Sequence, residues 1–122
     1  MNRARLALLS SALLLFAGCV PGSGSNLLVR ADPPSCLPQV ARVLRAEGFD
    51  VSEGTVASKY KLSFEGAPSS SVFGQVYETP PFGIRIFFGE RSFEFSKTAL
   101  EQRQRIINRI APICGPVTVQ QV

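Results

Sequence analysis

Histidine is missing from all 122 residues, and this absence bounds the chemistry more than any motif does. Ser-His and Cys-His nucleophile pairs are excluded. A Ser-Lys arrangement through Lys59 or Lys61 is left, and both lysines fall at solvated positions of an alternating segment. Metal ligation loses its commonest nitrogen donor, and no cluster of Asp replaces it. Carboxylate pairs for glycan hydrolysis would have to come from Glu53, Glu65, Glu78, Glu90, Glu94 or Glu101, which no motif groups. No glycine-rich phosphate loop lies between a strand and a helix, since Gly22-Ser23-Gly24 sits in a Pro/Gly/Ser stretch. The expectation is a protein that is not an enzyme and holds neither metal nor cofactor.

A long hydrophobic run is also lacking. Leu6 to Phe16 is apolar apart from two serines, but its eleven residues are too few to cross a hydrocarbon core of about 30 Å as a helix. Preceded by the basic Asn2-Arg3-Ala4-Arg5, the run reads as an export signal over residues 1–18. Leu15-Phe16-Ala17-Gly18-Cys19 resembles the lipobox of bacterial lipoprotein precursors, with small residues just before the thiol. The resemblance implies that Cys19 carries diacylglycerol on sulfur and an acyl group on its new amine, and that the mature chain begins there. Several acyl chains on one residue hold a protein at a membrane far more firmly than one. Val20, where retained lipoproteins carry Asp, implies the outer membrane, with the periplasmic face the expected side. The other reading is an ordinary secretory signal cleaved near Gly22 or Ser23, which strands an unpaired cysteine.

Without residues 1–18 the chain keeps 104 residues, enough for one domain with a small core. Arg3 and Arg5 leave with the leader, so 13 basic residues become 11 against 9 acidic ones. That bias is too weak to imply nucleic acid. With Cys19 spent on lipid, Cys36 and Cys114 form an even pair in an oxidising compartment and are expected to be disulfide-bonded.

Residues 19–34, with Pro21-Gly22-Ser23-Gly24-Ser25 and Asp32-Pro33-Pro34, have the composition of a flexible tether, leaving 35–122 as the domain. Ser35 is the expected N-cap of a helix carrying Leu37, Val40, Ala41 and Leu44 on one face and ending at Gly48. Phe49 to Ser52 reads as a short strand, and Val56 to Glu65 alternates as a half-buried one. Ser71 to Glu78 is a further strand whose phase is open, because Val72/Gly74/Val76 and Phe73/Tyr77 are both apolar enough to face inward. Ile84 to Phe88 and Ser92 to Phe95 read as a hairpin turning at Gly89-Glu90-Arg91, with Ile84, Ile86, Phe88, Phe93 and Phe95 inward. Thr98 with Glu101 suggests a capping box for a second helix, its stripe formed by Leu100, Ile106, Ile107 and Ile110 and its end set by Pro112. Val117 to Val122 reads as an edge strand or a frayed end.

This order gives an α+β two-layer sandwich, with two helices packed on one face of a three- to five-stranded antiparallel sheet. Lys59, Lys61, Arg85 and Phe87, joined by Phe73 and Tyr77 in one of the two phases, are then the candidate residues of the uncovered face. Basic and aromatic groups together suit an acidic envelope protein or another anionic envelope component. The leading expectation is an envelope lipoprotein acting as a binding or assembly module. The alternative is a lipid-anchored inhibitor or immunity protein that blocks a periplasmic hydrolase through Thr79-Pro80-Pro81-Phe82-Gly83. Labelling cells with radioactive palmitate is expected to mark the wild-type chain and leave a Cys19→Ser variant unlabelled.

Overall fold

The computed structural model describes residues 22–66, 70–81 and 83–122; the leader, Cys19 and Phe82 lie outside them. The elements run β1 (Ser23–Val29), α1 (Pro33–Ala46), β2 (Asp50–Glu53), β3 (Leu62–Glu65), β4 (Val72–Glu78), β5 (Ile84–Glu90), α2 (Lys97–Cys114) and β6 (Val117–Gln121). All six strands join one open antiparallel sheet in the order β2-β3-β4-β5-β1-β6. Both helices cover one face, so the architecture is α+β in two layers. No helix among the described residues is long and apolar enough to cross a membrane.

The sheet has more strands than expected because part of the tether is β1. Ser23 to Val29 pairs along its full length with β5 on one side, and from Ser25 to Val29 with β6 on the other. Its composition hides this role: a serine and a glycine occupy positions where alternation calls for larger side chains. Partners distant in sequence make up the difference. Ser25 is fully buried, and Arg103 Nη1 of α2 donates to its hydroxyl at 3.1 Å, which satisfies a polar group in an apolar layer. Leu27 and Val29 enter the core on the same face.

The first helix begins earlier than expected. Asp32, not Ser35, is the N-cap, with Pro33 and Pro34 at the first helical positions, where a missing N–H costs nothing. Ser35 instead donates its hydroxyl to Asp32 Oδ2 at 2.9 Å. The other end forms a Schellman turn: the N–H of Gly48 bonds the carbonyl of Arg45 and that of Phe49 the carbonyl of Leu44, while Gly48 takes φ +92°. Phe49 is thereby delivered to the core, its ring edge-on to Phe64 with centroids 5.0 Å apart.

Two expected strands differ. Only Leu62 to Glu65 of the Val56–Glu65 run forms a strand, and Val56 is fully exposed. A local turn wins there, with Ser58 N–H on the Thr55 carbonyl at 3.0 Å and Thr55 N–H on Ser58 Oγ at 3.1 Å. The segment 92–95 is not a strand either, because β5 already has β4 on one edge and β1 on the other. Phe93 is 88% exposed, whereas Phe95 is half-buried against Phe88, centroids 5.9 Å apart. The phase of β4 is settled: Val72, Gly74 and Val76 face the helices, and Phe73 and Tyr77 the open side.

In α2 the N-cap is Ser96, not Thr98, and Leu100 is exposed while Ala99, Ile106 and Ile110 are buried. The helix runs through Pro112 to Cys114 rather than stopping at the proline. The helices are antiparallel and pinned at both ends. Cys36 and Cys114 are bonded, with Cα atoms 5.4 Å apart and 78 residues between them in sequence. At the other end Glu47, whose side chain is 9% exposed, meets Arg105 at 3.0 Å and Arg109 at 3.6 Å.

In the chain-entropy picture a loop of this length stabilises the fold by roughly 4 to 5 kcal/mol, a large share of what a small domain has. Thermal unfolding of the Cys36→Ala/Cys114→Ala variant is accordingly expected to show a midpoint lower by well over 10 °C, given about 4–8 °C per kcal/mol for domains of this size.

Candidate functional site

The helices leave one face of the sheet open, and cross-strand register lays out its side chains in rows. Asn26 of β1 stands opposite Phe87 of β5, which stands opposite Gln75 of β4 and, beyond it, Ser63 of β3. In the next row Leu28, Arg85 and Tyr77 are neighbours, and in the row on the other side Gly24, Gly89 and Phe73. Cross-strand neighbours on one face interact directly, and here they build a layer of half-buried rings with arginines stacked on them.

Arg85 holds its guanidinium carbon 4.1 Å from the centre of the Tyr77 ring and donates to Asn26 Oδ1 at 3.2 Å. Arg91 lies over Phe73 at 4.4 Å, and Phe73 and Phe87 have centroids 6.0 Å apart. Phe87 lies over the Gly24–Gly89 pair: a Cβ at Gly24 would stand 2.7 Å from its ring, and one at Gly89 2.9 Å. The glycines thus let an aromatic ring rest on bare backbone, shielding hydrogen bonds that would otherwise meet water.

Stacking fixes the guanidinium planes while leaving donors free, the condition for bidentate capture of a carboxylate. Among the described residues neither Arg85 nor Arg91 has a carboxylate partner, both ion pairs belonging to Glu47. The acidic part of this face lies at its far edge, where Asp50 stands opposite Glu65.

The expected set of four is only partly brought together. Arg85 and Phe87 share the open face. Lys59 is exposed in the 54–61 loop. Lys61 precedes β3, gives its N–H to the Val76 carbonyl at 2.7 Å, and lines a cleft with Leu37, Pro38, Glu53 and Gly54 toward α1. Asn26 and Arg91 join the site instead. Neither is marked by a pattern, Asn26 falling in the apparent tether and Arg91 in an apparent hairpin turn. Of the loop suggested for inhibition, Thr79 and Gly83 border a cavity of about 420 Å³ that also touches Leu28, Arg30 and Pro116.

Glu90 is the buried carboxylate of the described residues, and its surroundings are those of a cap. Its Oε1 accepts from the Ser96 N–H at 2.7 Å, and its Oε2 from the hydroxyls of Ser96 at 2.8 Å and Ser71 at 3.3 Å. Ser96 Oγ in turn accepts from the Ala99 N–H at 3.1 Å. A capping box normally draws its carboxylate from the third residue of the helix. Here the end of the preceding strand supplies it, six residues before the N-cap, at the positive end of α2. Burial pushes the Glu90 carboxyl up, but the Ser96 N–H and the hydroxyls of Ser96, Ser71 and Ser92 outweigh it, leaving the group below its ordinary value. A carboxyl held in its charged form by saturated hydrogen bonding is unsuited to donate a proton. No group of residues suited to hold a metal occurs among the described residues.

Because its folded-state value is depressed, Glu90 adds stability that is fully present above its unfolded value near 4.5 and is lost as pH falls through the folded value. Glu90→Gln is therefore expected to cost about 1.5–3 kcal/mol at pH 7. Denaturant titrations at a series of pH values should show that deficit shrinking below pH 4.5.

No protein-family model matches the chain, and no curated protein matches it either, so its own chemistry is the guide to what it does.

Proposed function

We propose that this chain is a lipid-anchored, non-enzymatic module of a bacterial envelope that binds an acidic protein partner on its open sheet face. One observation carries the proposal: Arg85 and Arg91 are stacked on Tyr77 and Phe73 with no carboxylate to neutralise them among the described residues. Arginine and aromatic side chains dominate the energetics of protein interfaces, because both bring large contact area with little rotamer freedom to lose once they are pre-stacked. The rings of Phe73, Tyr77 and Phe87 are half-buried and spread over neighbouring strands, which suits a protein surface better than a small ligand needing a cleft. The lipobox-like Leu15-Phe16-Ala17-Gly18-Cys19 supports the address, and the Cys36–Cys114 bond fits an oxidising compartment.

Charge reversal tests the face while leaving its aromatic rings and the core beneath them in place. Crosslinking in intact cells followed by mass spectrometry is expected to find a stable partner with the wild-type chain. An Arg85→Glu/Arg91→Glu variant should lose that crosslink at least tenfold while its unfolding midpoint stays near that of the wild type. An undiminished crosslink would place the interface elsewhere. Capture of a hydrolase that survives this variant but fails after changes at Thr79 and Gly83 would favour the inhibitor instead.

A further inference from the structure

The tether that would lift the domain off a membrane is largely absent, since β1 starts at Ser23. Between Cys19 and Ser23 there are four residue steps, which span at most about 14 Å even when fully extended. One end of the sheet is thereby kept within about 14 Å of the anchor, close enough to reach the lipid headgroup layer. That end is not neutral ground. Ser23 Oγ donates to the Ser92 carbonyl at 3.0 Å, so the 91–96 loop is fastened to the start of β1. Phe93, next in the chain, is 88% exposed. On the other side of β1 the N–H of Val122 bonds the Gly24 carbonyl at 3.2 Å, and Val122 is 79% exposed. Two apolar side chains thus flank the strand that leads to the anchor, and the core uses neither.

We infer that Phe93, assisted by Val122, inserts into the headgroup–acyl boundary of the phospholipid bilayer to which the chain is anchored, fixing the orientation of the domain. The inference rests on the proposed acylation of Cys19. An aromatic ring at this depth gains the burial it lacks in the fold, and the acyl chains hold it there at no further cost in association. A domain held by one end stands with its strands steep to the bilayer, and its open face is turned sideways, accessible to a neighbouring protein.

The chain contains no tryptophan, so a single introduced one reports cleanly. Phe93→Trp and Val56→Trp are prepared in the full-length, cell-processed lipoprotein and reconstituted in phosphatidylethanolamine/phosphatidylglycerol vesicles with a brominated-lipid fraction. Val56 is the control, because the 54–61 loop joins β2 and β3 at the end of the sheet away from Ser23. Phe93→Trp is expected to emit at shorter wavelength and to be quenched several-fold more than Val56→Trp. Equal quenching in a sample whose mass shows acylated Cys19 would overturn the insertion and leave the anchor standing. A mass lacking fatty acid would overturn both.

Discussion

The insertion of β1 between β5 and β6 is the interaction on which the molecule depends. Without it β5 would be a bare edge, β6 would have no partner, and Leu27 and Val29 would be missing from the core beneath the helices. The strand is also where the polar interior is organised: Ser25 takes a hydrogen bond from Arg103, Ser23 secures the 91–96 loop, and Asn26 receives Arg85. Each of these partners lies at least 59 positions away in sequence. The segment is thus held by tertiary contacts, not by its own propensity. In such a topology the first strand has no sheet partner until the chain has reached at least β5.

Around that strand the fold is fixed at its corners by a few side chains, one completed locally and two from afar. Glu90 ends β5 and caps α2, which ties the turn of the chain to the start of the helix. Glu47 ends α1 and draws in Arg105 and Arg109. The disulfide closes the opposite end of the helix pair. The sheet edges are treated unequally. β2 is short and presents Asp50 and Glu53, charges that discourage pairing with another chain, whereas β6 carries none.

Much of this was legible in the residues. The stripe of α1, Ile106 and Ile110 of α2, the inward Ile84, Ile86 and Phe88, the glycine that ends α1 and the cysteine pair all follow from local periodicity or from counting, whereas the phase of β4 is open until its neighbours are placed. What escaped shares one cause. The strand character of Ser23–Val29, the turn at Thr55–Ser58 and the wrap of 91–96 around Glu90 are decided by hydrogen bonds to partners whose positions periodicity does not encode. The candidate site was half legible for the same reason. Arg85 and Phe87 lie on a regular strand, whereas Asn26 and Arg91 join them only because β1 and the 91–96 loop are placed by distant contacts, and the lysines leave because the strand that should carry them stops at Leu62.

One architecture therefore serves both proposed attachments. In the proposed arrangement the end of β1 is turned to the lipid, and the face crossed by β1, β5 and β4 carries the stacked arginines. Both follow from one placement, that of a segment which by composition should be a loose leader. Native-state amide hydrogen exchange measures that placement directly. The amides of residues 24–29 are expected to exchange as slowly as those of β5, by global unfolding alone. Exchange at the rate of free coil would show that the segment is a tether after all and would contradict the account.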